Sequence, residues 1–368
     1  MKIGLIDADL LDNGTKFPNL ALMKLSGYLK EKNDVKLIGY DDIGNYEKVY
    51  ISKVFTKTNI PEIANPIKRK NTLNFFQDTE IILGGTGINY DKQDFLDTKI
   101  EHHYPDYNLY NNIIDKKIKK EGRSKYKYYK DYSIGFTTRF CFRQCEFCVN
   151  RNKTKVEKWS KVEEFYNKNK KYITLLDDNI MGSKDFDEII NSLIKLNKPF
   201  EYKQGLDIRL MTPKRFELFN KAKYKGDYIF AFDHIKDRDT IIKKIKMILN
   251  IKSNVRMKFY VLTGFKNQNN KNILDTFERI RILMKYGALS YVMRHKNIKG
   301  TKWEMLYNNI ASWCNQPKIF KNYNFENYCH TKYGNKSKVV KQLNDFKKEN
   351  PEVEKYLKLT YNDYKIIK

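Results

Sequence analysis

The sequence predicts an α/β protein made of a small open parallel sheet, a partial (β/α)6 barrel and a helical tail. Short apolar runs alternate with amphipathic segments of helical period, and six such pairs follow one another in the central region. A chain of 368 residues, 41% of them hydrophobic, can also bury more than one core. We therefore expect a first domain at 1–112, a linker or exposed helix at 113–130, the barrel at 131–298 and a helical extension at 299–368.

The first domain begins with the apolar run Lys2–Asp7, which predicts a strand. The segment after Pro18 repeats apolar residues at near-helical spacing, and proline is favoured in the first turn of a helix. Further strands are predicted at 34–40, 48–55 and 79–87. Strands separated by helices pair in parallel through right-handed crossovers, so this region is expected to be an open α/β domain.

The central region repeats the alternation more clearly. Strands are predicted at 132–138, 172–178, 200–210, 227–233, 255–265 and 289–295. Ser160 and Glu163 form a capping-box pattern that predicts a helix after the first of them. Thr212 and Pro213 predict the start of another helix. Six parallel strands in sequence fit an open, three-quarters barrel better than a closed eight-stranded one.

The net charge of +27, from 71 Lys and Arg against 44 Asp and Glu, favours a polyanionic partner such as nucleic acid. Lys, Asn, Ile and Tyr are abundant throughout, as an AT-rich genome would produce, and on that view many lysines simply solvate the surface. The charge makes a nucleic acid a candidate substrate without deciding between these readings.

The chain is expected to be cytoplasmic. No run of about 18 uncharged apolar residues is present, so no membrane association is expected. The N-terminus turns acidic after five residues, unlike a secretory signal peptide. Five cysteines, an odd and clustered set, fit a reducing compartment better than a disulfide framework.

Three of the five cysteines, Cys141, Cys145 and Cys148, form a CxxxCxxC pattern directly after the first strand of the central region. Enzymes of the α/β class place their chemistry at this end of a parallel strand. A structural zinc ion takes four ligands, whereas three soft thiolates with one vacancy suit an iron–sulfur cluster. Two alternatives stay open: three unrelated buried cysteines, or a zinc site completed by a distant Cys314, Cys329 or His330.

The stretch CFRQCEFC resembles the signature of the radical S-adenosylmethionine (SAM) superfamily, in which CxxxCxxC follows the first strand of a partial barrel. The resemblance implies that Cys141, Cys145 and Cys148 ligate a [4Fe–4S] cluster and that SAM chelates its open iron. One electron, from a reductant such as flavodoxin or ferredoxin, would cleave SAM to methionine and a 5′-deoxyadenosyl radical that abstracts hydrogen from substrate. Phe147 would lie against the adenine, or would be a core aromatic.

The resemblance also implies SAM contacts at the ends of later strands. Asp177 and Asp178 stand where the family has Gly-Gly-Glu, and one of them would accept from the SAM amino group. Arg209 would hold the SAM carboxylate, Asp233 the ribose hydroxyls, and Gly264 would let the backbone approach adenine. For Asp178, Arg209 and Asp233 the alternative is an ordinary ion pair within a loop.

The first domain resembles the cobalamin-binding, Rossmann-like domain that often precedes a radical SAM barrel, because ILGGTG matches its strand and double glycine. Aligning that family's DxHxxG motif on Asp9–Gly14 puts Leu11 where the cobalt-binding histidine belongs. Leucine cannot coordinate cobalt, although relatives without the histidine exist, so bound cobalamin is disfavoured but left open. His102 and His103, in the connector, are expected to be structural.

Three functional hypotheses follow. The favoured one is a radical SAM enzyme acting on an unknown substrate, for which a nucleoside or nucleic acid is a candidate. The second is a cobalamin-dependent methyltransferase, which Leu11 weakens. The third is a non-enzymatic, metal-bound nucleic-acid-binding protein in which the cysteines form a structural knuckle. Cys314 and Cys329 are expected to be buried cysteines, since an auxiliary cluster needs three or four ligands.

Overall fold

The computed structural model describes residues 1–65, 78–88 and 95–364. It is a mixed α/β protein with parallel sheets, which confirms the predicted fold class at that level. The chain divides into two compact units: a first unit, Met1–Asp177 with Leu196–Phe200, and a second unit, Asp178–Lys195 with Glu201–Lys368. None of the helices in the described ranges is long and apolar enough to cross a membrane.

The first unit opens with a parallel sheet in the order β2-β1-β3-β4. Its strands are β1 (Lys2–Asp7), β2 (Asp34–Leu37), β3 (Lys48–Ser52) and β4 (Glu80–Gly84). The helices that follow these strands are α1 (Ala8–Asn13), α2 (Leu20–Leu29), α3 (Thr98–Glu101), α4 (Asn111–Glu121) and α5 (Lys127–Lys130). The stretch expected to be a linker or exposed helix therefore carries helices, and Ile114 of α4 is fully buried against the sheet and α2.

A second parallel sheet follows in the order β5-β8-β9. Its strands are β5 (Tyr132–Gly135), β8 (Tyr172–Leu175) and β9 (Phe200–Tyr202), and two short strands, β6 (Thr138–Arg139) and β7 (Glu157–Lys158), pair antiparallel between the first two. This small ribbon was not foreseen from the sequence.

The helix predicted from Ser160 and Glu163 is wrong. The chain forms a single 3-10 turn, Val162–Glu164, in which the Glu164 carboxylate accepts from the Lys161 amide. The next residue, Phe165, is buried against Gly135, where a Cβ atom would come within 2.3 Å of the ring. Burial of this ring draws the chain inward and ends the turn.

The second unit contains α6 (Phe186–Leu196, whose last residue belongs to the first unit), α7 (Pro213–Lys221), α8 (Arg238–Ile251) and α9 (Asn270–Lys285). Its strands β10 (Tyr228–Ala231), β11 (Met257–Thr263) and β12 (Leu289–Arg294) form a parallel sheet in sequence order. A parallel bridge joins Leu206 to Phe230 of β10. Thr212 caps α7 with Pro213 in its first turn, as predicted.

The C-terminal extension is helical, as predicted. It comprises α10 (Glu304–Cys314), α11 (Pro317–Asn322), α12 (Phe325–Tyr333), α13 (Lys338–Glu349) and α14 (Glu354–Leu357). The buried Trp313 ring lies 4.9 Å from Phe320 and 5.4 Å from Phe325, and Phe325 lies 5.3 Å from Phe277 of α9. These contacts pack the extension onto the β10-β11-β12 layer.

Candidate functional site

The three clustered cysteines lie in the loop between β6 and β7, which we call the cysteine loop (residues 140–156). The two strands pair Thr138 with Lys158 and Arg139 with Glu157, and the Trp159 amide donates to the Thr137 carbonyl at 2.9 Å. Both ends of the loop are thus held together by backbone hydrogen bonds.

Backbone amides donate to two of the three sulfur atoms. The Arg143 amide lies 3.4 Å from Cys141 Sγ, and the Asn150 amide lies 3.4 Å from Cys148 Sγ. The Cys148 amide donates to the Cys145 carbonyl at 2.8 Å, which closes a turn between these two residues. Amide donors stabilise negative charge on sulfur, so this arrangement suits thiolate ligands.

All three thiols are partly exposed and none is in a disulfide. Within the described ranges, no group of three or more His, Cys, Asp or Glu side chains is arranged to hold a metal ion. Three soft thiol donors, two of them with amide hydrogen bonds, are nevertheless the donor chemistry that an iron–sulfur cluster takes. The sulfur atoms would have to converge when the cluster binds.

Asp177, at the end of β8, braces the entrance to this loop. Its carboxylate accepts from the Thr137 amide at 3.1 Å, the Thr137 hydroxyl at 2.5 Å, the Thr138 amide at 2.5 Å and the Thr138 hydroxyl at 2.7 Å. Burial raises the pKa of Asp177 to about 6, and the four hydrogen bonds oppose that rise. Both carboxylate oxygens are therefore engaged within the first unit, which gives Asp177 a positioning role.

An aromatic group surrounds Arg139, just before Cys141. The guanidinium carbon lies 4.1 Å from the Phe136 ring centroid, 5.0 Å from that of Phe95 and 5.4 Å from that of Trp159. Phe140, at φ +70°, packs edge-on to Phe95 and Trp159. These cation–π and ring contacts fix the chain direction at the start of the cysteine loop. The sequence analysis missed this group: Phe136 and Phe140 flank Arg139 in the sequence, but Phe95 and Trp159 reach it only through the fold.

Arg209, predicted to hold the SAM carboxylate, pairs with carboxylates of its own unit. Its Nε and Nη2 donate to the two oxygens of Asp207 at 2.8 and 3.2 Å, and its Nη1 donates to Asp237 at 3.3 Å. This geometry matches the alternative of an ion pair within a loop. A ligand carboxylate would have to displace one of these partners.

Asp233, predicted to contact ribose, follows β10, and its Oδ1 accepts from the Leu262 amide at 3.1 Å. Burial raises the pKa of its carboxyl, while the Leu262 hydrogen bond and the nearby Arg279 lower it.

Arg279 of α9 is a buried residue that the sequence analysis missed. Its Nη1 donates to the carbonyls of Phe232, Asp233 and Leu262 at 2.8 to 2.9 Å, joining the ends of β10 and β11. The side chain is only 2% exposed, and burial lowers the pKa of Arg279 to about 10. The available signal was one charged residue on the apolar face of an amphipathic helix.

Gly264 has φ +72°, a left-handed backbone conformation that favours glycine at this position. A Cβ atom there would lie 2.1 Å from Ile298 Cγ2, and the Gly264 amide donates to Asn272 Oδ1 at 3.0 Å. The close approach seen in the structure is thus made by Ile298.

The predicted site residues fall in both units. The first unit holds the three cysteines with the half-buried Phe147 and the buried Asp177. The second holds the half-buried Asp178 and Arg209 with Asp233 and Gly264.

The residues of the first sheet do not fit cobalamin. In the order β2-β1-β3-β4, strand β2 lies on one side of β1, and β3 and β4 lie on the other. In open α/β sheets with such a change of direction, ligands bind in the crevice beyond the carboxyl ends of the two strands at the change, here β1 and β3. Asp9 fills that position: its carboxylate accepts from the Val54 amide at 2.7 Å, the Phe55 amide at 3.3 Å and the Thr58 hydroxyl. Leu11, in place of a cobalt ligand, is 42% exposed on α1.

The remaining candidate ligands have structural surroundings. Cys314 and Cys329 are buried in α10 and α12, and burial raises the pKa of each thiol, that of Cys329 to about 12. His102 Nδ1 lies 2.8 Å from Glu164, and His103 Nε2 lies 3.1 Å from Glu31. These contacts agree with the expectation that neither histidine is a metal ligand.

No protein-family model matches the chain, and no curated protein matches it significantly.

Proposed function

We propose that the chain is a radical SAM enzyme whose cluster is held by Cys141, Cys145 and Cys148. The observation that carries the proposal is a CxxxCxxC loop that follows the first strand of a parallel sheet and directs amide donors at two of its sulfur atoms. A structural zinc knuckle requires no parallel scaffold behind it, so this setting favours the enzyme over a purely nucleic-acid-binding protein.

The proposal includes a partial (β/α)6 barrel. Six parallel strands occur in sequence order in two sheets, β5-β8-β9 and β10-β11-β12. The parallel bridge between Leu206 and Phe230 supports continuation of the strand order from the segment after β9 into β10. Helices α6 to α9 between or after these strands are the crossovers that such an arrangement needs.

When bound, the cluster would supply the electron for reductive cleavage of the SAM sulfonium. The three thiolates would hold iron, and the amides of Arg143 and Asn150 would stabilise their charge. Asp177 keeps the chain before Cys141 in place through Thr137 and Thr138. We assign the SAM amino group to Asp178, because both oxygens of Asp177 are engaged.

The remaining contacts stay part of the proposal: Phe147 to adenine, Arg209 to the SAM carboxylate after exchange of an acidic partner, and Asp233 to ribose. Gly264 would keep its turn open beside them. Flavodoxin or ferredoxin would be the reductant, and a nucleic acid or nucleoside remains the candidate substrate class.

The test is anaerobic reconstitution with iron and sulfide, followed by assay for 5′-deoxyadenosine with dithionite and SAM. Cys141→Ala, Cys145→Ala and Cys148→Ala are each expected to lose the cluster absorbance and the product. Cys314→Ala and Cys329→Ala, the matched controls, are expected to keep both. A colourless zinc protein that releases no 5′-deoxyadenosine, or activity that survives the first three changes, contradicts the proposal.

A cobalamin-dependent methyl transfer is not favoured, because Asp9 closes the crevice beyond β1 and β3. After addition of cobalamin and removal of the unbound cofactor, the protein is expected to retain no cobalamin absorbance, and its reaction is expected to be unchanged.

A further inference from the structure

The C-terminal extension carries a basic groove between α13 and the segment that leads into α10. It encloses about 610 Å³. Its walls are formed by Lys302, Trp303, Met305, Lys338, Lys341, Gln342, Asp345, Lys348 and Glu349. Two side-chain hydrogen bonds fix the walls: Gln342 Oε1 accepts from the Leu306 amide at 2.8 Å, and its Nε2 donates to the Lys302 carbonyl at 2.7 Å.

Three lysines of this groove carry uncompensated charge. Lys338, Lys341 and Lys348 are exposed, and within the described part of the chain none of them lies within 4.0 Å of a carboxylate. Of the two acidic residues in the groove, Glu349 is paired with Lys302. With Lys302 and Glu349 paired, Asp345 is the other carboxylate in the groove and stands against the three lysines Lys338, Lys341 and Lys348.

A groove in the first unit differs in this respect. Its three lysines are all engaged: Lys30 by Asp106, Lys130 by Asp115, and Lys170 by the carbonyls of Tyr129 and Lys130. Of these two grooves, the C-terminal one is therefore the groove whose lysines include several that are not paired with a carboxylate of the described residues.

The spacing of the three lysines places them on one face of α13. Positions i, i+3 and i+10 of a helix share a face, and ten residues rise about 15 Å. A row of about 15 Å is long enough to contact more than one phosphate of a duplex. Trp303 is 2% exposed beneath Lys302 and offers no ring face for stacking a base.

We propose that this groove binds the phosphate backbone of a double-stranded nucleic acid through Lys338, Lys341 and Lys348. The binding is electrostatic and independent of base sequence, and it does not depend on the proposed radical chemistry. The proposal assigns a phosphate-binding role to three of the lysines that contribute to the net charge of +27.

The test compares two triple variants of the full chain. The first is Lys338→Gln, Lys341→Gln, Lys348→Gln. The control is Lys243→Gln, Lys246→Gln, Lys252→Gln, which removes the same charge from exposed lysines on and just after α8. Dissociation constants for short duplex DNA, duplex RNA and single strands of the same sequence are measured over a range of salt concentrations.

The slope of log K against log salt is negative, and loss of three phosphate contacts is expected to reduce its magnitude by about 2.7 for a duplex; the single change Lys341→Gln is expected to reduce it by about 0.9. The control is expected to change the slope by less than about one. The proposal is overturned if the wild type does not bind a duplex, if the groove variant binds like the wild type, or if the control loses as much. The two duplexes distinguish DNA from RNA as the source of the phosphates.

Thermal unfolding verifies that both variants fold. Cluster loading and SAM cleavage, measured on the same samples, are expected to equal those of the wild type. Absence of duplex binding would therefore contradict the groove proposal but not the proposed radical SAM function. Absence of SAM cleavage would contradict the proposed function but not the groove proposal.

Discussion

Asp177 accepts two hydrogen bonds from Thr138, one from its amide at 2.5 Å and one from its hydroxyl at 2.7 Å. Thr138 is the first residue of β6, and Cys141 follows three positions later. A carboxylate at the end of one parallel strand thus sets the path of the chain after the neighbouring strand. This relationship makes Asp177 the residue through which the second sheet orients the cysteine loop.

Asp177→Asn is expected to lower the free energy of unfolding by about 1 to 3 kcal/mol, because an amide cannot accept all four hydrogen bonds and leaves buried donors unpaired. Urea denaturation measures the change. Asp239→Asn, the same substitution at a carboxylate whose side chain is 99% exposed, is expected to change it by less than about 0.5 kcal/mol. Equal effects of the two substitutions would contradict the bracing role.

The stability of the protein is expected to depend on Asp177 between about pH 4 and pH 6. Burial raises its pKa from 3.8 to about 6, so in this window the folded state holds a proton that the unfolded state releases. The contribution of protonated Asp177 to the free energy of unfolding is therefore fully present at low pH. It is lost as pH rises through 6, and the free energy of unfolding falls by up to about 3 kcal/mol. Urea midpoints across this range should fall less steeply for Asp177→Asn than for the wild type. Asp7, with its pKa also raised to about 6 by burial, and Asp233, whose pKa burial also raises, contribute to the slope that remains.

Arg279→Met is expected to destabilise the second unit by about 3 to 5 kcal/mol. The substitution leaves the carbonyls of Phe232, Asp233 and Leu262 without this donor inside the protein. Arg281→Met is the control, since Arg281 is partly exposed and pairs with Glu278 on the same helix, and about 1 kcal/mol or less is expected. Chemical denaturation followed by far-UV circular dichroism decides between these values.

Gly264→Ala and Gly300→Ala separate backbone strain from steric conflict. Both glycines have positive φ, +72° and +76°, so each alanine is expected to cost about 1 kcal/mol from conformation alone. Only at Gly264 does the new Cβ meet another atom, Ile298 Cγ2 at 2.1 Å. Gly264→Ala should therefore be the more destabilising by thermal denaturation, and the cost of Ile298→Ala, a buried residue, should be smaller in the Gly264→Ala chain than in the wild type. Equal costs of Ile298→Ala in the two chains would contradict the conflict.

Thiol labelling of the metal-free protein should distinguish two classes of cysteine. Cys141, Cys145 and Cys148 are partly exposed and are expected to react with iodoacetamide in the native state. Cys314 and Cys329 are buried, with thiol pKa values raised by burial, and are expected to react only after denaturation. Mass spectrometry of the labelled peptides reports each position, and native labelling of Cys314 would contradict the packing of α10.

Most strands of the parallel sheets could be predicted because they lie in short apolar runs bounded by polar residues or glycine, whereas the polar strands β6 and β7 could not. β1 and β11, for example, lie within the runs that the sequence indicates. The helix expected from Ser160 and Glu163 failed because burial of Phe165, a tertiary contact, outweighed a local capping pattern. Local patterns do not reveal which side of a turn will face the core.

The site was predictable to a smaller extent. The spacing of the three cysteines is a local signal, whereas the partners of Arg209, which are Asp207 and Asp237, depend on how two loops meet. The sequence did not show which of the neighbouring Asp177 and Asp178 would be buried beside the start of the cysteine loop. Only the positions of Thr137 and Thr138 decide that question.

The pairing of β6 with β7 has a consequence for the life of the protein under oxygen. The stem of the cysteine loop is closed by peptide hydrogen bonds and by the Asp177 carboxylate, and none of these contacts involves an inorganic group. Zinc fingers, which unfold when stripped, lack such independence. If the loop holds the proposed cluster, its loss to oxygen is expected to leave the stem paired, so that the same chain could take up a new cluster.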